Sequence, residues 1–133
     1  MKKSDTIPEL FRTRLEVILS PDRFAACWQS FAVEEPTTFR ANGLKATVAA
    51  LYAELVAEGF ALKPLGWKDD AFFVSAAQRS ALTESAAWSE GRLYIQNASS
   101  MVPPMLLAPE KEEWILDLTA APGSKTLQSA DLM

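Results

Sequence analysis

The stretch that decides the fold lies near the end of the 133-residue chain and reads Trp114-Ile115-Leu116-Asp117-Leu118-Thr119-Ala120-Ala121-Pro122-Gly123-Ser124-Lys125-Thr126. It opens with an apolar run of strand length, residues 114–118. Small residues with a proline and a glycine follow, and residues 125–130 are compatible with a helix. This order predicts a strand, a tight loop and a helix.

The predicted loop would let a ligand come close to the main chain, because Ala120, Ala121 and Gly123 carry little or no side chain. Free N–H groups at the start of the following helix would favour a carboxylate or a phosphate. A P-loop, however, needs glycine, four residues, glycine, lysine and then serine or threonine. Thr119 and Ser124 occupy the two glycine positions, so the sequence disfavours a P-loop.

Residues 117–126 resemble the S-adenosyl-L-methionine loop of the Nol/Nop/Sun (Fmu-type) RNA cytosine-C5 methyltransferases, whose usual form is Asp-x-Cys-Ala-Ala-Pro-Gly-Gly-Lys-Thr. Thr119 replaces the cysteine of this form, and Ser124 replaces its second glycine. The resemblance implies S-adenosyl-L-methionine as cofactor, with Lys125 near its carboxylate and Asp117 either fixing the loop or reaching its amino group. The cofactor-binding residues that it implies are Thr119, Ala120, Ala121, Pro122, Gly123, Ser124 and Lys125.

Two earlier segments resemble the same family, in the same order. Residues 39–45 are similar to its Arg-x-Asn-x-Leu-Lys segment, and residues 91–104 are similar to its Gln-x-x-Ser-Ser-Met-x-Pro segment. On this basis Arg40 and Lys45 are candidate contacts to RNA phosphates. The alternative is that both are solvated charges at a strand end.

Three regions follow from the patterns and the resemblance. Residues 1–35 are expected to be helical, and residues 36–78 to form a small α+β domain similar to an RNA-recognition motif. Residues 79–133 are expected to begin a class I, Rossmann-like methyltransferase domain that is truncated here. The fold class is therefore an α+β region followed by the first strand, loop and helix of that domain.

Local patterns predict the individual elements. A first helix is expected to be capped by Thr6, with Pro8 in its first turn, and a second to start at Pro21. Residues 37–42 suit a strand, residues 48–56 a helix that Gly59 ends, and the region around Pro64 an edge strand.

The remaining patterns are less regular. A turn is expected at residues 69–70 and a strand at 71–74. Residues 80–90 are expected to form a short helix or a turn, and residues 92–96 a strand. The next helix should start at Pro103 or be kinked, because a proline pair interrupts it.

Two groups of residues allow both a functional and a structural interpretation. Cys27 could be a nucleophile, but it lies on an apolar helical stripe in a chain without histidine, so packing is favoured. Phe39, Phe72 and Phe73 could stack RNA bases, but aromatic residues at alternating strand positions favour a core.

Composition limits the class of protein. Hydrophobic residues make up 49% of the chain and charged residues 23%, as in a globular protein. The single cysteine cannot form an internal disulfide, and neither a membrane span nor a secretory signal is apparent, so we expect a cytoplasmic protein without a metal or membrane partner. The net charge of −4 disfavours tight, nonspecific RNA binding.

The resemblance implies the N-terminal part of an enzyme that methylates RNA, in particular ribosomal RNA during rRNA processing. The family's catalytic cysteines lie downstream of the loop, so no catalytic residue is expected here. The chain alone should be inactive, should bind cofactor weakly and could self-associate through the unpaired strand at residues 114–118. Two alternatives are a non-catalytic RNA-binding or assembly module and an unrelated nucleotide-binding fragment.

Overall fold

A computed structural model describes residues 7–133, which divide into two compact units that meet in sequence at Glu35 and Pro36. The helices of the described residues are α1 (Glu9–Ile18), α2 (Pro21–Ser30), α3 (Val48–Ala57), α4 (Arg79–Glu84), α5 (Ala86–Ser89), α6 (Ala98–Leu107) and α7 (Ser124–Leu132). The strands are β1 (Thr37–Ala41), β2 (Lys63–Leu65), β3 (Lys68–Val74) and β4 (Leu93–Ile95).

The first unit contains the two predicted helices, α1 and α2. Helix α1 begins directly after Pro8, whereas the predicted cap Thr6 lies outside the described residues. The Phe11 and Phe31 rings meet edge to face with centroids 5.8 Å apart. Cys27 is partly buried, and neither helix contains a fully buried residue, so this unit has a thin apolar interior.

The second unit is built on an antiparallel sheet with the strand order β2-β3-β1-β4. The predicted strands at 37–42 and 92–96 and the edge strand around Pro64 are all present. Strand β4 joins a sheet that the sequence had placed within residues 36–78, because the free edge of β1 needs a partner for its N–H and C=O groups. The division of this unit at residue 79 stays a prediction.

One face of the sheet carries the apolar core, which includes residues of α3. The ring of Phe72 lies 5.8 Å from that of Phe39 and 5.6 Å from that of Tyr52. Phe39 and Phe72 are buried, so the core interpretation of these two is confirmed. Phe73 faces the other way and is half-buried, with Lys63 Nζ 5.9 Å from its ring centroid.

The turn between β2 and β3 differs from the prediction. It consists of Gly66 and Trp67, and β3 already begins at Lys68. Lys68 Nζ lies 2.6 Å from Asp70 Oδ1 and balances its charge within the strand, while Asp69 points to solvent.

Helix α6 starts at Ala98 and not at Pro103, and it runs through both prolines; the alternative of a kink there stays a prediction. Asn97 caps it by accepting a hydrogen bond from Ser99 N–H at 3.2 Å. Pro104 has no N–H to donate to the carbonyl of Ser100. Gln96 Nε2 donates to that carbonyl at 2.9 Å instead, which makes Pro104 tolerable inside the helix.

The predicted strand at residues 114–118 is wrong for this structure, since the segment has no strand assignment and pairs with none of the described strands. A strand exists only where a neighbour supplies hydrogen bonds, and apolar sequence alone does not provide one. Trp114, Leu116 and Leu118 are 100%, 81% and 85% exposed.

The remaining predicted helices are present. Residues 80–90 contain α4 and α5, and the segment after the loop forms α7. Gly59 follows α3 with φ +91°, as expected for the end of a helix. Within residues 7–133, no helix combines the length and the apolar character that crossing a membrane requires.

Candidate functional site

The loop at residues 119–123 is closed by the carboxylate of Asp117. Asp117 Oδ1 accepts a hydrogen bond from Thr119 N–H at 3.0 Å, and Oδ2 accepts one from the Thr126 hydroxyl at 2.6 Å. The hydroxyl bond, the amide bond and nearby Lys125 together hold the pKa of Asp117 below its ordinary value of 3.8. Asp117 therefore stays ionised and fixes the loop, the first of the two roles that the resemblance implied.

The loop ends at Gly123, which directly precedes α7. Its φ of +99° is a conformation that residues with a side chain rarely adopt. The first helical hydrogen bond in α7 is donated by Leu127 N–H to Gly123 O at 2.9 Å. The N–H groups of Ser124, Lys125 and Thr126 precede that bond, so the helix itself does not use them.

Tyr94 in β4 connects this loop to the sheet. Its hydroxyl donates to the carbonyl of Pro122 at 3.1 Å. The guanidinium carbon of Arg40 lies 5.8 Å from the centroid of the Tyr94 ring. The carbonyl side of the loop is thus attached to a residue of the sheet.

A cleft of about 710 Å³ opens beside the loop. Its walls come from α4, α5, β4, α6 and the start of α7, and the lining residues include Arg79, Trp88, Tyr94, Asn97 and Lys125. Two cationic and two aromatic side chains therefore line a space next to backbone that carries little side-chain bulk. Such a lining suits a small anionic or zwitterionic molecule with a planar group.

Behind the loop, a buried polar network joins the sheet to α6 and α7. Arg40 is 1% exposed, and its guanidinium donates to Gln96 Oε1 at 3.1 Å, Asp131 Oδ2 at 3.0 Å and Ala41 O at 3.2 Å. Gln96 Nε2 also donates to Gln128 Oε1 at 3.0 Å. The sheet and the last helix are therefore held together by complementary donors and acceptors.

Burial determines the direction in which the pKa of Arg40 is shifted. Burial lowers the pKa of the guanidinium more than the carboxylate of Asp131 raises it. A surface phosphate cannot reach this side chain in the described conformation, and it is not a solvated strand-end charge either. Both interpretations of Arg40 from the sequence therefore fail, because its partner Asp131 lies 91 positions away and gave no local signal.

Lys45, the other candidate RNA contact, lies at the opposite end of β4 from the loop. It is exposed, and its ammonium donates to Glu90 O at 2.8 Å. Nearby, Arg92 makes a two-pronged ion pair with Glu54, and these hydrogen bonds raise the pKa of Arg92 and lower that of Glu54. Arg92 also pairs with Glu90 at 2.7 Å, so Lys45 remains at the surface beside one cation and two carboxylates.

The structure does not bring all the predicted site residues together. Of the predicted cofactor-binding residues, Pro122, Ser124 and Lys125 line the cleft, whereas Arg40 lies behind it and Lys45 lies elsewhere. Tyr94 was not singled out from the sequence, and its spacing to Pro122 carries no signal. Among residues 7–133, no group of three cysteine, histidine or acidic side chains is placed to hold a metal ion.

Comparisons with known proteins agree on one family. Residues 7–98 match the family described as the N-terminal domain of 16S rRNA methyltransferase RsmF. The chain is 44% identical over 101 residues to ribosomal RNA small subunit methyltransferase F of Shewanella amazonensis, covering 72% of this chain and 21% of that protein. To the protein of that name from Vibrio atlanticus it is 36% identical over 132 residues, covering 96% of this chain and 28% of that protein.

A solved structure is similar over almost the whole chain. The crystal structure of a methyltransferase homolog from Pyrococcus horikoshii superimposes with a TM-score of 0.74 at 33% identity, covering 96% of this chain and 41% of that one. The chain spans about a quarter of the length of the curated relatives that it matches.

Proposed function

We propose a function from the premise that the chain belongs to the family of N-terminal domains of 16S rRNA methyltransferase RsmF. The 133 residues correspond to the N-terminal quarter of an enzyme that transfers a methyl group from S-adenosyl-L-methionine to C5 of a cytosine in ribosomal RNA. In this proposal the residues that attack the base belong to the other three quarters of the relatives' length. The chain alone is then inactive in methyl transfer.

The observation that carries the proposal is the loop at residues 119–123. Pro122 of this loop lines the cleft together with Ser124 and Lys125, Asp117 closes the loop, and unused N–H groups at the start of α7 follow it. A carboxylate placed there gains hydrogen bonds from the helix start and a favourable interaction with Lys125. The methionine part of the cofactor has such a carboxylate, and the aromatic lining of the cleft suits a planar group.

A chimera tests this function directly. Residues 1–133 replace the matching region of the Shewanella amazonensis relative, and C5-methylcytosine is measured in small-subunit RNA that lacks the modification. We expect methylation that depends on S-adenosyl-L-methionine. A folded chimera that methylates no cytosine, while the intact relative does so, would contradict the proposal.

Two lysine variants of the chimera test the role of the loop. Lys125→Ala removes a charge at the cleft, and we expect the KM for the cofactor to rise about tenfold, the usual weight of a hydrogen bond to a charged group. Lys111→Ala removes an exposed lysine of the polar connector and is the matched control. Equal KM values for the two variants would remove Lys125 from the proposed site.

Cofactor binding by the chain alone is proposed to be weak, because this region supplies contacts on one side of the ligand. Calorimetry with micromolar chain and S-adenosyl-L-methionine should give no saturable heat. A clear saturable isotherm would refute this part of the proposal.

The proposed RNA contact is Lys45, whose charge remains at the surface. One exposed lysine on a chain with net charge −4 supports only modest RNA affinity. In the chimera, Lys45→Ala should reduce the affinity for small-subunit RNA and flatten its salt dependence slightly. An unchanged salt dependence would remove Lys45 from the RNA interface.

A further inference from the structure

Two side chains on neighbouring strands attach the two ends of the loop and helix segment to the sheet. Arg40 and Tyr94 are direct partners in the register of β1 and β4. Tyr94 holds the carbonyl of Pro122, just before α7, and Arg40 holds the carboxylate of Asp131, near the end of α7. Helix α7 has nine residues, so these two attachments are separated by about 13 Å along its axis.

Arg40 also supports the ring of Tyr94. Its guanidinium lies over that ring and is itself fixed by Gln96, Ala41 and Asp131. A buried guanidinium with three acceptors has little freedom to move, so the phenol above it is held in one orientation. The position of the Pro122 carbonyl therefore depends on a network that reaches across the sheet.

From this arrangement we propose that Tyr94 and Arg40 are positioning residues for the cofactor loop. This inference rests on the proposed function and assigns to Arg40 a role other than RNA contact. Asp117 closes the loop internally, while Tyr94 and Arg40 fix its place relative to the sheet. The main chain at residues 119–123 is thereby held ready for the cofactor before it binds.

Nuclear magnetic resonance relaxation of the isotopically labelled chain tests the attachment without any ligand. In Tyr94→Phe, which removes one hydroxyl, the backbone order parameters of residues 119–121 and 123 should fall from about 0.85 to about 0.6 or below. Order parameters in β1 and β3 should not change. Tyr52→Phe is the matched control, since its ring packs on Phe72 at the far face of the sheet.

Arg40→Lys keeps the charge but loses the planar fork that serves three acceptors at once. It should produce the same loss of order in the loop. Unchanged loop order in both variants would overturn the proposal. A loss of order throughout the sheet would overturn it as well, because the side chains would then act through global stability.

The chimera connects this attachment to activity. Tyr94→Phe should raise the KM for the cofactor about fivefold and leave kcat within about twofold, as expected when a positioning hydrogen bond is lost. Tyr52→Phe should change neither. An unchanged KM in Tyr94→Phe would overturn the proposal, whereas a chimera inactive before substitution would contradict the proposed function and leave the relaxation result valid.

Discussion

Replacing Asp131 with alanine tests the buried ion pair that joins the last helix to the sheet. The pair has a nitrogen to oxygen distance of 3.0 Å, with the side chains of Arg40 and Asp131 1% and 12% exposed. In Asp131→Ala the guanidinium stays buried and loses its counter-charge. We expect a large loss of stability in residues 36–133, because burial already disfavours the charged form of Arg40.

The expected loss of stability depends on the hydrogen bonds that Arg40 keeps in Asp131→Ala. Removing one partner of a buried ion pair typically costs about 3–5 kcal/mol. Arg40 keeps its acceptors on Gln96 and Ala41, so we expect the lower end, about 3 kcal/mol. Arg40→Met leaves the Asp131 carboxylate without its partner and should also be destabilising, whereas replacing both residues by apolar ones should cost only about 1–2 kcal/mol.

Native-state hydrogen exchange is the appropriate assay, because the two units need not unfold together. The amides of Phe39 and Phe72 in the sheet core report opening of the second unit. A loss of 3 kcal/mol accelerates their exchange roughly 150-fold. The double variant Arg40→Met/Asp131→Ala should accelerate exchange less than Asp131→Ala alone, since no unpaired charge then remains buried.

The reasoning would be refuted if Asp131→Ala accelerated exchange in the sheet less than about threefold while α7 lost its protection. That pattern would mean that α7 detaches locally and that Arg40 becomes hydrated at little cost. Gly43→Ala offers an independent check, because an added Cβ would lie 2.5 Å from Asp131 Oδ1 and displace the carboxylate. Gly43→Ala should therefore accelerate amide hydrogen exchange in the sheet, as Asp131→Ala does, but by a smaller factor.

Three further predictions concern the loop and the segment before it. Gly123→Ala should destabilise the second unit by about 1–2 kcal/mol through its positive φ alone, because the added Cβ would meet only an ordinary contact, 3.9 Å from Ala120 O; equal unfolding midpoints would contradict this. Because the pKa of Asp117 is lowered in the folded chain, its stabilisation of the loop is present above about pH 4 and is lost as pH falls further, and the amide shift of Ala120 should titrate with a midpoint below 3.8. A midpoint above 3.8 would mean that the ionised carboxylate of Asp117 destabilises the folded loop, contrary to this prediction. The exposed run with Trp114 and Leu116 should make the chain associate as its concentration rises in sedimentation, whereas Trp114→Ser/Leu116→Ser should remain monomeric; identical behaviour would exclude this surface.

Local patterns predicted the elements that depend on local chemistry. Helix α3 was predicted from apolar residues at helical spacing and from Gly59, and strand β2 from Pro64, which can only lie at an edge. The strand at 114–118 and the helix start at Pro103 were wrong because partners decide them, whereas the alternative of a kink at the prolines stays a prediction. The first segment has no neighbouring strand among the described residues, and Pro104 is tolerated because the side chain of Gln96 replaces its missing donor.

The candidate site shows the same difference between residues that local sequence identifies and residues that depend on distant partners. The loop could be located from its small residues and from the family resemblance, since both lie within ten consecutive positions. Tyr94 and Asp131 were not found, because each meets its partner only after the sheet and α7 have come together. Arg40 was assigned to the surface for this reason, and its burial became visible only in three dimensions.

The separation between Arg40 and Asp131 has a consequence for synthesis of the chain. The four strands of the described residues are available once Ile95 has left the ribosome, but Asp131 leaves it 36 positions later. At about 5–20 residues per second, the sheet exists for roughly 2–7 s with its central arginine lacking a counter-ion. During that interval the arginine side chain must remain hydrated, so the nascent sheet stays open on that face and closes only when the last helix arrives.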